Sequence, residues 1–192
     1  MKPALIAAAL VLASGPALAD PVAYTLDSSH SQVVFSYNHL GFSTTYGMFS
    51  GFEGEIMFDP DDPSASSVTV SMPAESMNTG WPKREEHFMS ADFFNATVNP
   101  DVSFVSTAIE VTGEDTAVIT GDLTMNGVTK SVDLDATLNG TGPHPFADGK
   151  EWAGFDATTT LLRSEFNMGF GVPAVSDEVE VRISIEAMKA EG

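Results

Sequence analysis

Apolar and polar residues alternate with a period of two along most of the chain from Val22 to Ala187. This is the pattern of strands that bury one face and wet the other. Between Thr116 and Leu138, Ala117, Ile119, Gly121, Leu123 and Met125 fall on one face, and Thr120, Asp122 and Thr124 on the other. Asn126-Gly127 follows, a pair that tolerates the positive φ of a two-residue turn. Val128, Val132, Leu134, Ala136 and Leu138 then alternate with Thr129, Ser131, Asp133, Asp135 and Thr137, with Lys130 the charged residue on the apolar parity. The expectation is a half-buried hairpin. The same alternation sets Val33, Phe35 and Tyr37 on one strand face, and Val68, Val70 and Met72 on another. Phe155, Ala157, Thr159 and Leu161 mark a third, and Val179, Val181, Ile183, Ile185 and Ala187 a last. Parity slips between Phe49 and Phe52, so Ser50-Gly51 is expected to form a bulge that bends one long strand.

One segment departs from this pattern. Lys83–Asp92 has helical composition, with Pro82 near the first turn, Glu85 and Glu86 early, and Thr79 or Gly80 as the expected cap. Phe88, Met89 and Ala91 would give it a short apolar stripe. As the one element outside the strand pattern, it is the expected gate of whatever the strands enclose. Thr141–Lys150 reads as a polar loop and Asp59–Ser67 as an acidic turn. About eight strands and one helix predict an all-β, up-and-down antiparallel barrel or a sandwich. A barrel leaves no free edge, which suits a chain with no cysteine to staple it.

Composition narrows the function. The chain of 192 residues carries 27 Asp and Glu against 8 Lys and Arg, a formal charge of −19. Such a surface repels phosphate backbones, which argues against nucleic acid as a partner, and it disfavours an anionic bilayer face. Without cysteine there is no disulfide, thiolate–zinc site or thiol nucleophile. Residues 1–19 run from Lys2 through an apolar stretch to Ala17-Leu18-Ala19, the form of an export signal cleaved before Asp20. At roughly ten residues that stretch is shorter than the about 20 a spanning helix needs. The expectation is a single domain over residues 20–192, periplasmic, with no stable membrane anchor. Monomer and dimer stay open.

Several ordered segments then carry a resemblance. They are Asp27-Ser28-Ser29-His30-Ser31-Gln32-Val33-Val34-Phe35, His39-Leu40-Gly41-Phe42-Ser43, Gly47-Met48-Phe49, Ala74-Glu75-Ser76-Met77-Asn78-Thr79-Gly80, Arg84 through Phe94, Gly121 through Lys130, and Arg163-Ser164-Glu165-Phe166. In this order they resemble the YceI-like family, exported lipocalin-like barrels that bind polyisoprenoids. Three positions depart from the family's usual residues: Glu85, Phe88 and Asn167. The resemblance implies an extended lipocalin-like, eight-stranded antiparallel β-barrel with one short α-helix. Its interior would hold an isoprenoid tail, with the polar head near the mouth. Ligands of such proteins include polyprenyl phosphates, quinones and, in some relatives, fatty amides. The resemblance implies no required cofactor and no catalytic chemistry.

The candidate lining residues are Phe35, Tyr37, Phe49, Phe52, Phe88, Phe104, Phe155 and Phe166. Parity alone does not separate a lined pocket from a packed core, and the resemblance favours the pocket. His30, Arg84, His87 and Arg163 are the head-group candidates, because arginine's planar fork and an imidazole both suit phosphate. The competing reading makes the arginines braces paired with Glu85, Glu86, Asp92 or Glu165, and gives His30 to a turn after Asp27. No His-x-x-x-His spacing marks a metal site and no Gly-x-Ser-x-Gly elbow marks a serine nucleophile. The function expected is therefore lipid binding for transport, storage or sequestration. The alternatives are a redox or stress role through bound quinone and a ligand-free structural barrel.

Overall fold

The computed structural model describes residues 20–191. The expected export signal, 1–19, lies outside the described residues. Ten strand segments form one antiparallel sheet: β1 (Val22–Leu26), β2 (Gln32–His39), β3 (Ser43–Phe49), β4 (Glu53–Phe58), β5 (Ser67–Pro73), β6 (Asp101–Val111), β7 (Thr116–Met125), β8 (Val128–Pro143), β9 (Glu151–Leu162) and β10 (Glu178–Lys189). Among the described residues there is one α-helix, α1, Pro82–Met89.

The segments make eight staves. β10 pairs with β2 through Val181↔Phe35 and Ile183↔Val33, and then with β1 through Leu26↔Ala187. β1 and β2 are thus one long stave interrupted at 27–31. β3 and β4 are a second, pairing with β2 and β1 on one side and broken at Ser50–Phe52. With β5 to β10 following as a meander, the eight-stranded antiparallel barrel closes.

The break at Ser50–Phe52 falls where parity slips. Gly51 sits there at φ +70°, and both Phe49 and Phe52 end up buried. The Asn126-Gly127 turn between β7 and β8 has positive φ at both residues, 47° and 69°, as a twisted hairpin requires. Two further register shifts, at Ser106/Ala108 and Leu138/Gly140, reset parity within β6 and β8. Phe104 and Ile109 consequently both face the cavity although their numbers differ in parity.

β5 pairs with β4 and β6 but not with β3, whose outer edge makes only a bridge from Met48 to Asn78. One side of the barrel is therefore not sheet at its upper end. The segment from Ala74 through α1 to Pro100 covers it.

The helix differs from expectation at both ends. Its N-cap is Trp81, which makes no side-chain cap bond, rather than Thr79 or Gly80. Pro82 fixes the first turn, and the Glu85 carboxylate satisfies the approach by accepting from Thr79 N (2.7 Å) and Thr79 Oγ1 (3.2 Å). These bonds, the Thr79 N–H foremost, hold the Glu85 carboxyl below its usual range. The helix stops at Met89 because Ser90 turns extended and its hydroxyl donates to the His87 carbonyl at 2.7 Å. Ala91 is exposed and leaves the stripe to Phe88 and Met89, which pack on the core. Among the described residues, no helix is long and apolar enough to cross a membrane.

Candidate functional site

The inward parity of the staves does not fill the barrel. It surrounds a cavity of about 540 Å³, within the range of small-molecule sites. Its middle is apolar: Ile56, Val70, Leu134, Ala157, Val181 and Ile183 face it with most of the candidate phenylalanines. Phe35, Tyr37, Phe49, Phe52, Phe88, Phe104 and Phe155 all line the cavity. The rings pack on one another edge-on or tilted, with Phe35–Phe49 at 5.5 Å and Phe58–Phe155 at 5.3 Å. Two glycines act as floors for rings. A Cβ on Gly47 would lie 2.2 Å from the Phe35 ring and one on Gly121 2.3 Å from that of Phe104.

Phe166 does not line the cavity. It is 1% exposed, packed with Val102, Met125 and Met168 beneath the β7–β8 turn, and its carbonyl accepts from Asn126 Nδ2 at 3.2 Å. The β9–β10 connection turns it away from the barrel interior, so it is a packing residue.

The two ends of the cavity differ in charge. The end where β2 meets β3 and β9 ends is the mouth. It is lined by His39, Ser43, Arg84, His87, Phe170 and Val175. The opposite end is lined by Glu114, Asp115 and Asp156.

At the mouth, Arg84 Nη1 makes one long bond, 3.4 Å, to the Thr79 carbonyl. Among the described residues no carboxylate lies within ion-pair distance of Arg84, so the expected brace to a glutamate is absent. His87 contacts Asp92 through Nε2 at 3.0 Å, and Phe93 and Phe170 pack edge-on against its ring at 5.1 and 5.4 Å.

Arg163 is a different case. It is 7% exposed, and its guanidinium donates to the carbonyls of Ser176 (2.8 Å), Phe170 (2.8 Å), Val175 (3.0 Å) and Met168. Four of its five donors are spent on tying the 168–176 loop to the barrel. That commitment makes it a brace rather than a head-group ligand, and the brace works through carbonyls, not the carboxylates expected. Burial lowers its pKa, opposed by the charge of Asp177. Asp177 instead accepts from Ser164 Oγ (2.6 Å) and N (2.8 Å), bonds that with the charge of Arg163 hold its carboxyl low.

His30 does not line the cavity either. It lies in the 27–31 break with Nδ1 2.6 Å from Asp27 Oδ2, the turn reading. The hydrogen bond to Asp27, then its charge, raises the His30 pKa. Burial alone would raise the Asp27 carboxyl, but bonds from His30 and Ser29 outweigh it and lower it. Stability from a raised histidine is complete below its unfolded value of about 6.5 and is lost as pH rises through the folded value. The depressed Asp27 contributes above about 3.9 and loses its share as pH falls through the lowered value. An NMR titration should therefore place the His30 midpoint above 6.5, and Asp27→Asn should return it to the ordinary value. An unchanged midpoint in that variant would disprove the pairing.

Some lining residues escape the period-two pattern. Phe93, Phe94 and Phe170 sit in irregular segments with no period to read. His39 does carry a signal, because it continues the odd parity of Val33, Phe35 and Tyr37.

A closed meander around a largely apolar cavity, with its charged groups toward the ends, defines a lipocalin-like binding barrel. The YceI-like domain family model matches residues 24–187. The chain belongs to the YceI-like family. A UPF0312 protein of Ectopseudomonas mendocina is 41% identical over 186 residues, covering 95% of this chain and 96% of the relative. The crystal structure of Burkholderia cenocepacia BcnA superposes with a TM-score of 0.75 at 26% identity, covering 84% of this chain and 98% of that one. A polyisoprenoid-binding domain of Saccharophagus degradans, implicated in plant cell wall breakdown, shares the fold with a TM-score of 0.68 at 14% identity. It covers 88% of this chain and 99% of that domain.

Proposed function

We propose that the protein is a periplasmic carrier that holds one long isoprenoid-tailed amphiphile, a polyprenyl phosphate or a quinone, for transport, storage or sequestration. The observation that carries this reading is the largely apolar cavity inside the barrel, with its charged groups toward the two ends. Tail burial supplies the affinity at about 25 cal/mol per Å², and the mouth holds the head. Binding of this kind needs no resident cofactor and no reaction. Mass spectrometry of the intact protein from its own periplasm, followed by organic extraction, tests it. A stoichiometric isoprenoid adduct is expected. A clean mass with no uptake of added ubiquinone or polyprenyl phosphate overturns it. The same spectrum reports whether residues 1–19 have been removed.

Arg84 is the cation free to choose the head. A charge-assisted bond contributes about 1.5–3 kcal/mol, so Arg84→Ala should weaken a polyprenyl phosphate by about ten- to a hundredfold while leaving ubiquinone within twofold. Equal losses for both ligands would show that Arg84 only shapes the mouth.

The covering segment is the gate. Met48 and Asn78 exchange two backbone hydrogen bonds, 2.9 and 2.8 Å, the pairing that puts Cα atoms about 5.5 Å apart and within disulfide reach. The chain has no cysteine of its own, so the Met48→Cys, Asn78→Cys pair should oxidise cleanly and slow ligand exchange several-fold, with recovery on reduction. Exchange at the wild-type rate in the oxidised protein would locate the exit elsewhere.

A further inference from the structure

The residues between Asp27 and Glu53, and those between Glu165 and Asp177, carry no Asp, Glu, Lys or Arg. The fold brings both to one place. The β2–β3 turn and the 169–175 loop are tied by the His39–Val175 bridge and by Leu40 N donating to the Ala174 carbonyl at 3.1 Å. Together they form the outer rim of the cavity mouth.

That rim exposes large apolar side chains. Phe42 at the turn is 87% exposed and Trp81 at the start of α1 is 58% exposed, with Leu40, Tyr46, Phe170 and Val172 also open to solvent. At the far end two turns are acidic, with Asp59, Asp61 and Asp62 in one and Glu114 and Asp115 in another, while the 144–150 loop exposes a single large apolar ring, Phe146. Scattered apolar residues need no explanation, but a group of them gathered at the entrance to a cavity does.

Three nearby acids are engaged in hydrogen bonds. Glu85 accepts from Thr79, Asp92 is paired with His87, and Asp177 with Ser164. Glu86 and Glu165 remain exposed. The face is therefore apolar and faintly acidic, which fits a zwitterionic lipid surface and not an anionic one. Its apolar tips come from three separate segments around an opening. A fluid interface receives such a ring at once, and Trp, Tyr and Phe are the residues that settle at that depth.

We infer that the mouth rim, led by Phe42 and Trp81, docks on the surface of a zwitterionic bilayer, so that the lipid passes between membrane and barrel without crossing water. This rests on the carrier reading, since the cargo gives the docking its purpose.

The test is co-flotation of the mature protein with phosphatidylcholine vesicles, alongside vesicles rich in phosphatidylglycerol. Wild type should float with the first and less with the second. Phe42→Ser with Trp81→Ser should cut the bound fraction about tenfold or more, as expected when two aromatic rings lose their burial. Neither side chain lines the cavity, so the amount of ubiquinone bound at equilibrium in detergent solution should be unchanged in the double variant. Ubiquinone transfer from donor to acceptor vesicles should scale with vesicle concentration for wild type and slow in the variant. Failure of wild type to float, or equal flotation of the double variant, overturns the docking; the rim then serves a protein partner. Flotation lost in the variant, with no ubiquinone or polyprenyl phosphate ever bound, keeps the docking and overturns the carrier reading instead.

Discussion

Replacing Arg163 with methionine should cost about 3–5 kcal/mol of stability, the usual consequence of removing one partner from a buried charged network. The melting midpoint should fall by on the order of 10 °C for a domain of this size. The methionine fills much of the volume, so the loss comes from acceptors left behind: the carbonyls of Met168, Phe170, Val175 and Ser176 all turn toward one guanidinium. Some are close enough to the mouth for water to reach them, and this keeps the cost below the sum of four charged hydrogen bonds. Arg163→Lys should recover only a minor part, since a compact ammonium lacks the planar fork that spans separate carbonyls. Thermal melts of the two variants beside wild type make the comparison. Because Phe170 and Val175 also line the mouth, faster ligand exchange should accompany the loss in both. A methionine variant as stable as wild type would mean that the loop holds its shape without the arginine.

Arg163 also marks where sequence reading stops. The motif picked out the residue, but its partners are main-chain carbonyls, which have no signature in a sequence. Carboxylates were the natural expectation in so acidic a chain. The barrel itself was legible because period-two alternation is a direct record of which side of a strand meets water. Even the bend at Ser50–Phe52 followed from the slip between Phe49 and Phe52. A turn after Asp27 is legible, but not that it interrupts one long stave, because Ser28, Ser29 and Ser31 have no strong parity. The bulges in β6 and β8 escaped for the same reason, falling at Ser106–Ala108 and Leu138–Gly140, where residues are small or polar. Phe166 follows the same logic. Its residue type suits a lining position, but only the β9–β10 connection decides which way it faces.

The charge distribution joins the barrel to its proposed task. The far turns carry Asp59, Asp61, Asp62, Glu114 and Asp115, whereas at the mouth Arg84, which makes no ion pair among the described residues, stands among Phe88, Phe93 and Phe170. An amphiphile entering head-last leaves its charge beside that arginine while its tail fills the apolar middle. Reversed entry would bring an anionic head against the like charges of Glu114 and Asp115 at the far end. The covered gap between β3 and β5 is the proposed route of entry, because at β3 the covering segment is paired by a two-bond bridge rather than a sheet ladder.

Filling the deep half of the cavity should separate tail burial from head recognition. Ala136 and Ala157 face one another on β8 and β9, and both line the cavity away from the mouth. Ala157→Phe places one ring where the tail would run. An aromatic ring occupies about 150–250 Å² of contact, and withholding that from a long tail at about 25 cal/mol per Å² removes roughly 4–6 kcal/mol. Long-tailed ubiquinone should then bind at least a thousandfold more weakly, while a short-tailed quinone that stops above the ring keeps its affinity within a few-fold. Ala136→Phe, on the neighbouring stave, should reproduce the effect. Both proteins should melt at or above the wild-type temperature, since the ring enters open space. The two readings of the inward parity diverge on this point. If the interior were a filled core, the added ring would force its neighbours off their rotamers at about 1–3 kcal/mol, lowering the melting temperature without any dependence on tail length. Titrating quinones of graded tail length against both variants, with melts run in parallel, decides between a tunnel and a core.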